Sequence, residues 1–295
     1  MKNSSKLWAL LLALAMVLAL TACGGNNSGS NDSGSTSGGD SQQSEDAGNT
    51  GDTGSDQNAA DSDIAYVQDK GSLIIGITEF EPMDYQDTNG DWIGFDADMA
   101  KAFAQSLGVT AEFQLIDWDS KVMELEGKTI DVVWNGMTLT DEVKSAMECS
   151  KAYCNNAQVV IVPTDKAADY QTVESLEGLQ FAAENGSAGQ AELEALGLSV
   201  TPVQDQATAL LEVKSGTADA AAIDSLMAAA MVGEGTNYAD LTYTVGLNSE
   251  EYGVGFRKGS DLAGALNDFF KTSYDDGTMM EIAETYGVQA AIIAQ

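Results

Sequence analysis

The sequence predicts an α/β fold of two related lobes, each a sheet flanked by helices, and three observations carry that expectation. From about residue 63 onward, apolar runs of about five to seven residues alternate with helical patterns, the mark of parallel sheets with crossover helices. Two stretches, "ELEGKTIDVVWN" and "EVKSGTADAAAID", repeat one device: a helix end, a glycine, an aspartate, then an apolar strand closing on a polar residue, Asn135 or Asp224. Ahead of residue 63 the composition changes abruptly, which sets the N-terminal part outside the fold.

That part opens with Lys2 and Lys6 before an apolar run from Leu7 to Leu20, short for a membrane span and suited to a secretory signal over residues 1–22. The run closes on Leu20-Thr21-Ala22-Cys23 and two glycines. This resembles a bacterial lipobox, in which Cys23 is acylated and becomes the new N-terminus. Residues 23–62 then hold Gly, Ser, Asn, Asp, Thr and Gln without Lys or Arg, too little apolar surface to offset ordering entropy. They are expected to form an acidic tether with a reach of about 35 Å.

Within the fold, residues 73–77 read as a strand, Asn89 and Gly90 as a hairpin turn, and the stretch from Phe95 as a helix with Met99, Phe103 and Leu107 on one face, stopped by Gly108. A strand at 111–116, a helix at 120–125 and a strand at 130–134 follow. The second series comprises strands at 158–162, 179–183, 200–203 and 219–223, with helices near 173–176, from Ala188 and at 206–214. Crossings between lobes are expected near 157–160 and 245–253. Lobe 1 is thus 63–158 plus 249–295, with helices between 262 and 286 returning to it, and lobe 2 is 159–248. Two lobes joined by two crossings make a hinged cleft, a preferred ligand site.

A formal net charge of -33 argues against nucleic acid and anionic membrane surfaces as partners. The absence of histidine removes the commonest general base and metal ligand. Asp87, Asn89 and Asp91 imitate the start of a calcium loop, but Trp92 stands where that loop needs glycine. Cys149 and Cys154 have no further thiol or imidazole to complete a zinc site, and their state, disulfide or free, is open. Phosphate-loop, dinucleotide and serine-elbow motifs are missing. No enzymatic activity, cofactor or metal is expected; a hydrolase using paired carboxylates is the outside alternative.

The stretches "LIIGITEFEPMDYQDTNGDWIGFDADMAKAFAQSLGV", "IDWDSKVMELEGKTIDVVWNGMTLTDE", "CSKAYCNNAQVVIV", "LEGLQFAAENGSA", "LEVKSGTADAAAID" and "EEYGVGFRKGS", in this order, resemble the family 3 solute-binding proteins of ABC importers for polar amino acids. They are similar to the glutamine-, histidine- and lysine/arginine-binding proteins. The resemblance implies a type II periplasmic-binding-protein-like fold with a two-stranded hinge, a monomer, a small amino acid or amine as ligand, and permease and ATPase subunits as partners. With a lipid anchor, it implies a place on the outer face of the cytoplasmic membrane of a Gram-positive-type bacterium. An extracellular sensor of the same fold is the alternative.

The same resemblance implies a site. Phe80 and Trp118 match two aromatics that sandwich the ligand. Asn135, Gly136 and Thr138 match a strand end that offers backbone and hydroxyl hydrogen bonds. Gly186 and Ser187, leading into Ala188, match a loop and helix start on the other lobe. Asp224 matches the carboxylate that receives an α-ammonium; its alternative reading is a helix cap.

One departure from the family pattern stands out. The family's T-x-x-R, whose arginine grips the ligand carboxylate, is here Thr140-Asp141-Glu142-Val143, and the only arginine in the chain is Arg257. Lys144 adjoins Val143 but is turned away by about 100° on a helix. Two readings remain open. Either a carboxylate rests on backbone N–H groups near Thr138 and Ser187, or the ligand is an amine without a carboxylate, held by Glu184, Glu79, Glu81 and Asp224, since buried carboxylates demand a cation.

Overall fold

The computed structural model describes residues 62–295. The expected signal peptide, the acylated Cys23 and the tether up to residue 61 lie outside the described residues. Ser62 begins the order: its hydroxyl caps helix α1 (Asp63–Lys70) by accepting from Ala65 N.

Two sheets carry the molecule. The first contains β1 (Ser72–Ile77), β4 (Thr110–Leu115), β5 (Val132–Thr138), β6 (Glu148–Cys149), β7 (Cys154–Asn156) and β13 (Glu250–Phe256). Its order is β4-β1-β5-β13-β6, with β7 also on β13. The second contains β8 (Gln158–Pro163), β9 (Gln180–Glu184), β10 (Ser199–Val203), β11 (Ala220–Asp224) and β12 (Leu241–Gly246), ordered β10-β9-β11-β8-β12. A two-stranded ribbon, β2 (Tyr85–Gln86) with β3 (Trp92–Ile93), forms the expected hairpin, with Gly90 at a φ of 86°. Asp87 accepts from the N–H groups of Asn89 and Asp91, so its carboxylate closes the turn rather than opening toward a cation.

Both sheets follow one plan. Three strands run parallel (β4, β1, β5 and β10, β9, β11), and the strand arriving from the other sheet, β13 or β8, lies antiparallel against them. The sheets are therefore mixed rather than parallel. Chain direction explains it: a strand entering from the opposite lobe runs against those launched within the lobe. The repeated sequence device is repeated in hydrogen bonds. Thr129 and Thr217 each donate to the carbonyl five residues back, in Glu124 (3.0 Å) and Glu212 (3.1 Å). Asp131 and Asp219 each accept a backbone N–H from the neighbouring parallel strand, Ile74 at 2.9 Å and Gln180 at 3.0 Å.

Helices cover the sheets because their apolar faces need burial. Helix α2 (Phe95–Ser106) buries Phe95, Met99 and Phe103 as its spacing predicts. A 3-10 turn, Trp118–Ser120, leads into α3 (Lys121–Glu126), and α4 (Asp141–Ala146) follows β5. In the second lobe α5 (Ala188–Ala195), α6 (Gln206–Ser215) and α7 (Ser225–Met231) follow β9, β10 and β11; residues Val173–Leu176 form a 3-10 turn instead of an α-helix. Helices α8 (Leu262–Asp275) and α9 (Thr278–Thr285) close the chain. Phe269 lies 5.5 Å from Phe103 and Phe270 5.5 Å from Trp134, ring centre to ring centre, so α8 joins the core of the first sheet.

β5 runs on to Thr138 instead of stopping at Trp134. The returning strand β13 supplies the missing ladder partners, pairing Tyr252 with Thr138 and Gly253 with Met137. Arg257 sits far from any ligand role: it binds the Asp63 carboxylate at 3.1 Å and donates to Ile130 O at 2.9 Å, tying α1 to the start of β5. Cys149 and Cys154 are free thiols. Among the described residues no helix is long and apolar enough to cross a membrane.

Candidate functional site

Strand ends of the two sheets face one another across a cavity of about 450 Å³. The first lobe lines it with Trp118, Lys121, Asn135, Thr138 and Val143, the second with Glu184, Gly186, Ser187, Gln206 and Asp224, among others. Every expected ligand residue is thus on its wall except Phe80 and, for the amine reading, Glu79 and Glu81.

Phe80 is 2% exposed, meets Tyr252 edge-on with ring centres 6.3 Å apart, and presses on Gly136, where an added Cβ would stand 2.4 Å from the ring. The backbone forces this: Phe80 N donates to Asp84 O in a tight loop, which turns the ring into the core. The expected aromatic sandwich is therefore replaced. Trp118 offers a single face, and the ammonium of Lys121 already lies 4.8 Å from the centre of that ring. Glu79 and Glu81 are likewise off the cavity wall.

Asn135 and Gly136 also depart from expectation. The Asn135 amide accepts from the N–H and hydroxyl of Thr78 and donates to Thr78 O and Asp84 Oδ2, using the amide's whole capacity. Gly136 N donates to Asp96 Oδ2 at 2.7 Å. The Asn135 side chain and the Gly136 N–H are thus engaged within the first lobe, and both residues shape the wall. Gly136 must be glycine, since φ is 55° and two rings crowd it. The Thr138 hydroxyl donates to Glu250 Oε1. On the other side Gly186 N donates to Gln190 Oε1, and the Ser187 hydroxyl caps α5 by accepting from Gln190 N. The Ala188 N–H, in the first turn of α5, is of the kind helix geometry leaves open. Helix α4 has only six residues, too short to gather much dipole beneath Val143.

Asp224 occupies the N-cap position of α7, yet its side chain makes no capping bond. Its Oδ1 accepts from Gln158 Nε2 at 3.0 Å, Tyr252 OH at 2.5 Å and Asn156 Nδ2; its Oδ2 accepts from Gln206 Nε2. Oδ2, with one partner, keeps a lone pair for a further donor. Burial, helped by the charge of Glu250, pushes the Asp224 carboxyl up to about 7, against the donors on Tyr252, Gln206 and Gln158. Glu184, 2% exposed, has an Oε1 without a partner among the described residues. Burial and the Asp224 charge push it up to about 8, while Thr78 and Lys121 pull the other way.

Lys121 is the residue the sequence reading missed. It is 9% exposed and, among the described residues, is the only Lys or Arg on a wall that also carries Asp119, Glu142, Glu184, Glu194 and Asp224. Its Nζ donates to Trp118 O at 3.0 Å and Gly186 O at 3.4 Å, one carbonyl from each lobe. Burial lowers its pKa, and Glu184, Glu142 and Asp119 oppose that. The only signal was its place three residues after Trp118, which on a helical turn returns a side chain to the same face.

The model of one protein family, "Bacterial extracellular solute-binding proteins, family 3", matches residues 73–289. The chain belongs to this family. It is 29% identical over 224 residues to the L-cystine-binding protein TcyJ of Escherichia coli K12, covering 75% of this chain and 84% of that protein. To the arginine-binding extracellular protein ArtP of Bacillus subtilis it is 26% identical over 289 residues, 95% of this chain and 98% of the relative. The crystal structure of an ABC uptake transporter substrate-binding protein from Streptococcus pneumoniae with bound histidine superposes with a TM-score of 0.72 at 32% identity, covering 79% of this chain and 99% of that one. This family 3 protein accordingly has the type II periplasmic-binding-protein fold that its sequence predicts.

Proposed function

We propose that this family 3 protein is anchored by an acylated Cys23 on the outer face of the cytoplasmic membrane, captures an amino acid between its lobes and hands it to an ABC permease with its ATPase. Lobe 1 is then 63–158 with 249–295, lobe 2 is 159–248, and the paired crossings act as the hinge. The ligand's α-ammonium goes to Asp224 Oδ2, its carboxylate to the Thr138 strand end and the Ser187–Ala188 helix start, and Trp118 with Glu184 bounds its side chain. The observation that carries the reading is the pair of buried carboxylates, Asp224 and Glu184, facing a shared cavity with no cation within 4 Å of either among the described residues. Relatives named for cystine, arginine and histidine support an amino acid as the class.

A cationic amine without a carboxylate is the second reading, favoured by the excess of acids over the single Lys121 on the wall. A thermal-shift screen against amino acids, cystine included, and small amines separates the two. Ligand at a hundred times its dissociation constant adds about 2.7 kcal/mol, which for a domain of this size raises the midpoint by roughly 5 to 10 °C. Shifts from amines alone would overturn the amino-acid reading, and no shift from either class would overturn both.

A further inference from the structure

Building on the amino-acid reading, we propose that the cavity recognises two zwitterionic heads, so that the preferred ligand is a bis(α-amino acid) whose second head lies between Lys121 and Glu184. Asp224 accounts for one ammonium. Glu184 is a second acceptor of the same kind, and its buried Oε1 is left without any donor. A buried polar atom with no partner costs roughly 1–3 kcal/mol, so the empty acceptor points to a donor on the ligand.

Lys121 defines what accompanies that donor. It is near enough to Glu184 for its charge to act on the carboxyl, yet the two form no ion pair within 4 Å. Two carbonyls, of Trp118 and Gly186, take two of its three N–H donors and hold it in place, leaving one for a ligand. A fixed ammonium and a fixed carboxylate that face one cavity without joining complement a zwitterion in reverse order, ammonium on Glu184 and carboxylate on Lys121. Other ligands fit worse. A lone distal ammonium, as in lysine, would satisfy Glu184 while meeting like charge at Lys121. A neutral side chain would leave both groups unanswered, and a distal carboxylate alone would face Glu184.

The test is competition binding to the full-length protein with cystine, lanthionine and 2,6-diaminopimelate against lysine, arginine, S-methylcysteine and cadaverine. At least one two-headed compound is expected to bind ten-fold or more tighter than any single-headed one. Lys121→Met and Glu184→Gln are each expected to remove that advantage, Lys121→Met while raising the affinity for lysine, whose distal ammonium loses a like charge, and Glu184→Gln while lowering it. A single-headed compound binding as tightly as the best two-headed one overturns the proposal while leaving the amino-acid reading intact; so does a Lys121→Met variant that weakens both classes equally. If no compound bearing an α-amino acid group binds, the amino-acid reading itself fails and this one with it. The wild-type series decides even where a variant does not fold.

Discussion

Asn185 donates its side-chain amide to Asp119 Oδ2 at 2.8 Å, a bond that runs from the loop after β9 in one lobe to the 3-10 turn after β4 in the other. Next to it, a Cβ on Gly186 would stand 2.8 Å from Asp119 Cα, and the φ of 73° disfavours any side chain there. The lobes meet at these residues because glycine lets two backbones approach. Gly186→Ala is therefore expected to weaken ligand binding by about ten-fold or more while lowering the ligand-free midpoint by only a few degrees, the cost of about 1 kcal/mol of backbone strain. Titration calorimetry with whichever amino acid stabilises the wild type gives the affinity; an unchanged value would mean that the contact plays no part in the bound state.

Asp224→Asn separates ligand chemistry from structure. The carboxylate is charged at a cost, as its raised pKa shows, and its neighbours Gln158, Gln206, Asn156 and Tyr252 are all donors. The amide keeps one acceptor oxygen but turns an NH2 toward donors, so stability is expected to change little or fall by about 1 kcal/mol. Binding of any ligand with an ammonium is expected to fall by a hundred-fold or more, because a charge-assisted bond becomes a donor-donor clash. Retained affinity in the calorimeter would remove Asp224 from the site.

Arg257 yields the opposite pattern. It is largely enclosed against Asp63 and Asp131, and Asp131 is fully buried. Arg257→Met would leave that carboxylate with the Ile74 N–H and Lys70 as its one cation among the described residues. Breaking such a buried pair costs about 3 kcal/mol or more. Urea denaturation is expected to show that loss, while affinity for ligand at low temperature stays within two-fold of wild type. A stability loss below 1 kcal/mol would mean that Lys70 is sufficient.

Much of this was legible in the residues. Strand and helix order and the doubled device ending at Asn135 and Asp224 follow from period, turn residues and spacing, while the residues on the walls of the cavity were implied by the resemblance to the family. What escaped was decided by packing between segments distant in sequence. Phe80 faces the core because its own loop bonds to Asp84 and because Tyr252, more than 170 positions away, makes room beside Gly136. Asn135 is consumed by Thr78 and Asp84, a partnership no pattern announces. Lys121 was passed over because the search for a cation looked along the helix after β5, where Val143 stands, and the cation came from the facing turn.

The two free thiols are expected to differ in reactivity. Cys154 is buried, and burial with the Asp96 charge raises its pKa strongly; Cys149 is half-buried and raised less. Thiolate is the reactive form, so a thiol reagent at pH 7.5 is expected to modify Cys149 slowly and Cys154 only after denaturant. Equal, rapid labelling of both in the folded protein would contradict their burial.

The pH dependence has a definite sign. Glu184 and Asp224 are raised to about 8 and about 7 by burial, and Asp84 and Asp96 beneath β5 are raised by burial as well. In the unfolded chain such carboxyls ionise near about 4. Between those values the folded protein holds protons that the unfolded chain has released, so stability falls as pH rises and levels off only above the Glu184 value. The ligand-free midpoint is expected to decline from pH 5.5 to 8.5. An ammonium ligand selects the ionised carboxylates, so its affinity should rise over the same interval with proton release, measurable by calorimetry in two buffers of different ionisation enthalpy. General repulsion in so acidic a chain pushes stability the same way, but it is screened by salt. In 0.5 M NaCl the slope should persist in the wild type and become shallower in the double variant Glu184→Gln, Asp224→Asn, in which Asp84 and Asp96 still contribute; a slope equally steep in both would place its origin elsewhere than the cavity carboxylates.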